Sequence, residues 1–410
     1  MSTATSTYKA TASSTASTTT ATTATTAHLS EADVERFGAE LDAIRAEIMN
    51  DLGAADAGYI QRVITVQRGL EAGGRLLLLG SLFPPAWLAG TGSLAVAKIL
   101  ENMEIGHNVL HGQWDWMRDP QIHSSTWEWD FASTAAGWKH AHNYIHHTFT
   151  NVLGKDRDLG YAVMRIDPKQ PWKPIYLLQP LYYIVLALGF EYGIAIYDIE
   201  LEKVAAGTKP WAKAKAQLGE LWRKIRGQLI KDYLAFPLLS GPAAPTTLLG
   251  NLVANLTRNV WSNVVIFCGH FPAGAQTFTQ DQLDGETRGQ WYLRQLLGSA
   301  NIDGPPLMHL MTGNLSHQIE HHLFPDMPSN RYAQIAPKIR QLCQRYGLPY
   351  TSGPLHRQYA QVLATIARLA LPGGAAGPQT DVAERREIVE RLAQVAIPEQ
   401  RDRALLPPLV

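Results

Sequence analysis

Eight of the fourteen histidines fall into three groups: His107-Asn-Val-Leu-His111, His142-Asn-Tyr-Ile-His146-His147 and His317-Gln-Ile-Glu-His321-His322. A ninth, His270, stands in Cys-Gly-His-Phe-Pro at the end of an apolar run. A histidine followed four and five residues on by two more is expected by chance roughly 0.02 times at this composition, and it occurs twice. On a helix, residues i and i+4 share one face, so each group aims two imidazoles at one point and leans a third toward a neighbouring point. Eight imidazoles exceed what one four-coordinate ion needs, so two nearby metals suit the layout better than one. Imidazole accepts iron, copper, nickel and zinc alike, and residue type leaves the metal open. Asp115, Asp158 and Glu320, each near a group, are candidates for accepting the free ring N–H of a ligand, and Glu104 for a supporting role behind the ligands. His28, His123, His140, His309 and His356 lie outside the spacing and read as non-ligands.

The elements that must position these groups are uneven in character. Lysine plus arginine and aspartate plus glutamate are each 36 in 410 residues, so no net charge advertises a nucleic-acid partner. Two cysteines, Cys268 and Cys343, exclude a disulfide framework, a four-thiolate zinc site and an iron–sulfur cluster built by this chain alone. Residues 1–27 are almost entirely Ser, Thr and Ala and read as a disordered tail without an export signal. From Ser30 the pattern changes: Ser30 and Asp33 form a capping-box pair, and Leu29, Val34, Phe37, Leu41, Ile44 and Ile48 recur at helical spacing.

Between Arg75 and Lys98 no residue is charged, and 174–190, 233–257 and 259–280 are likewise free of Asp, Glu, Lys and Arg. A bilayer crossing needs about 20 apolar residues, so these stretches predict an integral membrane protein, the first being a helical hairpin whose second arm runs on toward His107. Pro84-Pro85 and the Gly90-Thr-Gly92-Ser-Leu-Ala95 stretch read as its bends. Residues 199–232 carry eight Lys or Arg, which predicts a cytoplasmic loop and leaves 233–272 as a crossing pair, with 174–197 interfacial or re-entrant. Beyond 281 the chain reads as soluble, with a linker from 371 and a polar helix over 380–396. Trp114, Trp116, Trp127 and Trp129 are candidate walls of a substrate tunnel or members of an interfacial belt.

At these residues the sequence resembles the membrane fatty-acid desaturase family, over roughly 30–370 and most closely its actinobacterial stearoyl-CoA Δ9 branch. The carrying motifs are Glu-Asn-Met-Glu-Ile-Gly-His-Asn-Val-Leu-His (101–111), Cys-Gly-His-Phe-Pro (268–272) and Gly-Asn-Leu-Ser-His-Gln-Ile-Glu-His-His-Leu-Phe-Pro (313–325). The resemblance implies an all-α membrane bundle of about four transmembrane helices, a desaturase domain over 28–370, and a cytosolic helical cap holding a di-iron site in the cytoplasmic membrane, facing the cytoplasm. Its implied ligands are His107, His111, His142, His146, His147, His270, His317, His321 and His322. Two departures stand out: the animal enzymes' asparagine one turn before His270 is Ile266 here, with Asn263 a turn earlier, and front-end relatives use a glutamine where Gln318 sits beside His317. The implied activity is desaturation of a fatty acyl-CoA, at Δ9 of stearoyl-CoA, with O2 and two electrons.

An unactivated methylene has neither an acidic proton nor a leaving group, so only activated oxygen on a metal can attack it. The resemblance further implies a separate NADPH-dependent flavin and iron–sulfur reductase as electron source, and membrane lipids as surroundings. Rival readings are a fatty-acid, alkane or lipid hydroxylase of the same histidine-box class, a metal transporter and a zinc scaffold.

Overall fold

The computed structural model describes residues 25–373. The expected tail over 1–27 therefore lies, except for its last three residues, outside the described residues, as do nearly all of 371–410 and the helix expected over 380–396. Helix α1 (Glu31–Asn50) begins where the capping box predicts, with the Ser30 side chain accepting from the Asp33 amide and the Asp33 carboxylate accepting from the Ser30 amide. Its apolar stripe, including Phe37, Leu41 and Ile48, packs against Tyr292, Leu296, Ile335 and Ile339 of the helices Arg288–Leu297 and Tyr332–Arg345.

Helices α2 (Ala54–Leu79) and α3 (Pro84–Leu100) form the expected hairpin, with Pro84 at the first position of α3, where its missing N–H costs nothing. The turn occupies 80–83. Gly90 is not a bend but lies inside α3, where a Cβ would meet Gly74 O of α2 at 3.1 Å; the two glycines let the hairpin arms touch. The long helix Ala244–His270 lies across this hairpin and ends at His270. A short parallel strand pair, β1 (Asn301–Asp303) with β2 (Ser352–Pro354), brings the segment before the third histidine group against the helix Leu355–Leu369. The described part is otherwise helical and irregular, so the all-α class is correct.

The transmembrane expectation fails, and with it the assignment to the cytoplasmic membrane: among the described residues no helix is long and apolar enough to cross a membrane. The charge-free runs are cut by turns. Residues 80–83 divide the first, Gly189 separates Gln179–Leu188 from Phe190–Tyr197, and 240–243 interrupt the third. The long helix escapes division but buries Asn251, Asn255, Arg258, Asn259, Ser262 and Asn263. These polar groups have partners: Asn251 accepts from Arg75 at 3.0 Å, Asp232 takes Arg75 and Lys98 at 2.6 and 2.8 Å, and Arg258 pairs with Glu191 at 2.5 Å. The charges that bound the apolar runs in sequence thus converge into buried pairs, which persist because each ion is matched. Large apolar side chains remain exposed at the hairpin tip, over 175–188 and over 234–252, among them Leu82, Phe83, Leu181 and Leu239.

Candidate metal centre

Three helical segments and one helix end carry the histidines to a common point. The first is the extension of α3 over Glu101–His107, wound with a wider i→i+5 turn before an ordinary turn reaches His111. The second segment, Lys139–His146, is wound the same way, and the His147 N–H bonds to His142 O. The wider turn stacks both i+4 and i+5 over residue i, which is how His142, His146 and His147 all reach the cluster; such turns concentrate at functional sites. The helix Gln318–Leu323 supplies His321 and His322, and His270 closes the long helix. Gly313 and Asn314, both left-handed, turn the chain into the third group, and a Cβ on Gly313 would lie 2.3 Å from Met103 O beside the first.

The imidazoles form adjoining sets whose nitrogens lie within 4.8 Å of one another: His107, His111, His142 and His321; His146, His270 and His322; and, joining them, His147 with His321 and His322. Four outer ring nitrogens are engaged. The His146 Nδ1–H donates to Asp156 at 3.0 Å, His142 Nδ1 lies 3.3 Å from Asp158, His107 Nδ1 2.9 Å from Asn108 Oδ1, and His322 Nδ1 3.0 Å from Gln295 Oε1. Meanwhile Nε2 of His111, His142, His147 and His321 is buried without a hydrogen-bond partner. Such orphans are costly unless something accepts their lone pairs, and bonding Nδ1 outward fixes the tautomer that turns Nε2 inward. This donor set fits metal ions: imidazole-rich, neutral and oriented.

Burial keeps the set uncharged. It lowers His107 to about 3, with the neighbouring His142 adding to the effect, and holds His111, His142, His147, His270, His321 and His322 well below the ordinary histidine value. His146 is the exception: burial opposes its charge, but Asp156 and Asp158 raise its pKa.

His317 does not join the cluster. It stacks on His309 at 4.6 Å, while the neighbouring Gln318 reaches the sets, its Nε2 lying 3.0 Å from His270 Nε2. His140 is exposed and stacks on Tyr144, away from the sets. Asn263 accepts from the Tyr183 hydroxyl at 2.8 Å and reaches no imidazole of the sets, and Ile266 lines the adjacent cleft. Of the carboxylates read as ring-orienting, only Asp158 meets a histidine of the sets. Asp115 accepts from Ser124, and Glu320 takes Tyr350 and Asn301. Glu104, pushed up to about 7 by burial, accepts from Tyr59, Asn314 and Ser329 and so ties three segments together without touching an imidazole. Asp156 escaped sequence reasoning although it stands two residues before Asp158; Gln295, Tyr332 and Trp138, which stacks on His142 at 4.5 Å, have no signal in the spacing at all.

Against the sets lies a narrow cleft of about 50 Å³ with largely apolar walls, including Trp129, Phe131, Trp138, Tyr161, Phe190 and Ile266. Of the four tryptophans singled out in the sequence only Trp129 lines it; Trp114 is fully buried against Ile60 and Val109.

No solved structure matches the chain. The sequence profile described as Fatty acid desaturase matches residues 85–354. An NADPH-dependent stearoyl-CoA 9-desaturase of Mycobacterium tuberculosis is 51% identical over 350 residues, 84% of this chain and 82% of that protein. An sn-1 linoleoyl-lipid 6-desaturase of Synechocystis is 28% identical over 72% of this chain and 83% of its own, and human fatty acid desaturase 3 is 23% identical over 57% and 50%. The matched span holds every histidine of the sets, and with half of all aligned positions shared with one relative along most of both chains, the protein belongs to the fatty acid desaturase family.

Proposed function

We propose that the protein is an O2-dependent acyl-CoA desaturase that introduces a double bond at position 9 of a stearoyl chain. The observation that carries this reading is the arrangement of two adjoining sets of buried imidazoles, four of them with Nε2 left without a hydrogen-bond partner, against an apolar cleft. The M. tuberculosis relative's name supplies the acyl-CoA substrate and the position. His107, His111, His142, His146, His147, His270, His321 and His322 would hold two iron ions, with Gln318 replacing His317 as the further donor beside His270. The iron pair supplies the oxidising power, drawn from dioxygen, that breaks unactivated C–H bonds.

The chain's own residues do the rest. Asp156 and Asp158 hold His146 and His142 in orientation, and Gln295 does so for His322. Trp138 presses on His142 and, with Trp129 and Phe131, walls the cleft so that an alkyl chain displaces water from the reacting edge. Carbon selection is by depth in that cleft, since methylenes carry no polar handle. Electrons come from a separate NADPH-dependent reductase of flavin and iron–sulfur type: two buried, unpaired cysteines cannot build an iron–sulfur carrier in this chain.

The test is fatty-acid analysis, with double-bond location by mass spectrometry, of cells expressing the intact chain or His146→Ala together with an electron donor. A 9-unsaturated acid from the intact chain alone is expected. A hydroxylated product, or none from an iron-loaded protein with a working donor, overturns the proposal.

A further inference from the structure

The helix Trp211–Ile230 carries five cations, Lys213, Lys215, Arg223, Lys224 and Arg226, against Glu220 alone. Its inner side is settled: Ala214 and Leu221 are buried, and Leu218 and Ile225 pack with Ala132, Ala195 and Ile199. Its outer side is not. At 100° per residue, Trp211, Lys215, Trp222 and Arg226 fall within one 60° sector, and Arg223 lies about 60° beyond its edge. All five are exposed, the two tryptophans by 57% and 58%. Among the described residues no carboxylate pairs with Lys215, Arg223 or Arg226; the cations of this region that are paired, Lys224 with Glu128 and Lys231 with Asp130, face inward.

Those inward pairs lead to the histidines. Lys224, Gln228 and Lys231 pin the segment 128–133 through Glu128, Asp130 and Ser133 O, at 3.1 Å for Gln228 to Asp130 and 2.6 Å for Lys231 to Asp130. The Ser133 carbonyl accepts at once from Lys224 at 2.6 Å and from Trp129 Nε1 at 2.8 Å. Trp129 in turn lies 5.1 Å from Trp138, and Trp138 stacks on His142 at 4.5 Å and 23°. Trp129 also lines a second, open polar cleft with Glu128 and Lys231, so this residue borders both clefts. Electron tunnelling weakens steeply with through-space gaps, and this series of touching rings bridges the inner face of the basic helix to a histidine of the first set.

We propose that the stripe Trp211, Lys215, Trp222 and Arg226 docks an acidic one-electron carrier protein, and that Trp129 and Trp138 conduct its electrons to the histidine sets. The inference rests on the desaturase reading, which requires two electrons per double bond. Two encounters deliver them one at a time; with two protons and the two hydrogens taken from the acyl chain they reduce one O2 to two waters. A protein fits this face better than a nucleotide does. The stripe is convex, its tryptophans are eleven residues apart, roughly 16 Å along the axis, and exposed Trp with Arg is the composition of protein-interface anchors. The positive charge selects an acidic partner and steers its approach.

The test begins with metal-free full-length protein and an acidic [2Fe–2S] ferredoxin as probe. Binding at low ionic strength should weaken as salt rises and fall at least about tenfold in Lys215→Glu/Arg226→Glu, but less than twofold in Arg357→Glu, outside the stripe. No binding, or equal loss in both variants, overturns the docking site. Loss of binding to vesicles of anionic lipid in the stripe variant, with ferredoxin binding kept, also overturns it and assigns the stripe to a lipid surface.

With iron-loaded protein, turnover driven by the ferredoxin is compared with turnover driven by reduced methyl viologen, which needs no docking. The stripe variant should lose the first and keep the second. Trp129→Leu should bind ferredoxin normally yet lower the ferredoxin-to-viologen ratio at least about tenfold; an unchanged ratio overturns the route. Absence of unsaturated product with either donor would count against the desaturase reading itself, while the binding result stands on its own.

Discussion

The histidine centre and the module built on α1 are packed equally tightly and by opposite means. In the module, Phe37, Leu41, Ile335 and Ile339 meet through plain amphipathic periodicity, with ion pairs such as Lys338 to Glu47 at 2.6 Å on its surface. At the centre nearly every interior group is polar, the helices are wound off their usual period, and a left-handed glycine sits against backbone. The module needs only shape, because apolar side chains substitute for one another at modest cost. The centre needs identity, because His142, His146 and His322 are held by specific acceptors, and His111, His142, His147 and His321 leave Nε2 without a partner.

That contrast can be broken most decisively at His321, which belongs to the first set and to the one that joins the two. His321→Ala should abolish product and reduce bound iron to a small fraction, while His317→Ala, off the cluster, should leave iron content near normal; equal losses in the two would erase the distinction drawn between them. In the module the expected damage is to folding alone. Phe37→Ala should cost about 3 to 5 kcal/mol of stability, read by denaturant unfolding, with double-bond position unchanged in the fraction that remains folded.

Asp156→Asn separates orientation from ligation. It keeps the shape and removes the charged acceptor of His146, so metal affinity should fall roughly 10- to 100-fold, measured by competition with a chelator, with the fold intact. The smallest effect is graded with pH. All the buried histidines of the sets but His146 have depressed pKa values, so their protonation favours the unfolded chain. The metal-free protein should therefore hold constant stability from this source above the ordinary histidine value and lose it as pH falls from about 6.5 toward about 3, the value of His107. Stability that rises over that window would show the imidazoles to be charged in the fold.

Much of the centre was legible because ligand chemistry is local. Eight of the nine expected histidines are in the sets, and the non-ligand reading of His140 agrees with its exposed position. Between His317 and Gln318 the spacing left the choice open, because a short, irregular turn decides which of two adjacent residues points inward; after the left-handed Gly313 and Asn314 it is Gln318 that lies against His270. The hairpin and the α1 capping box were legible for the same local reason. The membrane crossings were not. Counting charges overlooked the turn at 240–243, and it could not foresee that Arg75, Lys98 and Asp232 would meet in one buried network with Asn251.

The sequence by itself determined the chemistry, because histidine triplets at helical spacing have few other uses and the apolar runs had to be buried or paired. Tertiary structure decided which nitrogen of several rings faces inward, which acceptors hold them, and that turns divide some of the runs while the longest helix buries polar groups along one face. These outcomes depend on contacts between residues far apart in the chain: Gln295 with His322, Tyr332 with His321, Met103 with Gly313. No periodicity encodes such contacts, since each is fixed only when helices of unrelated sequence pack and every buried polar group must find a partner.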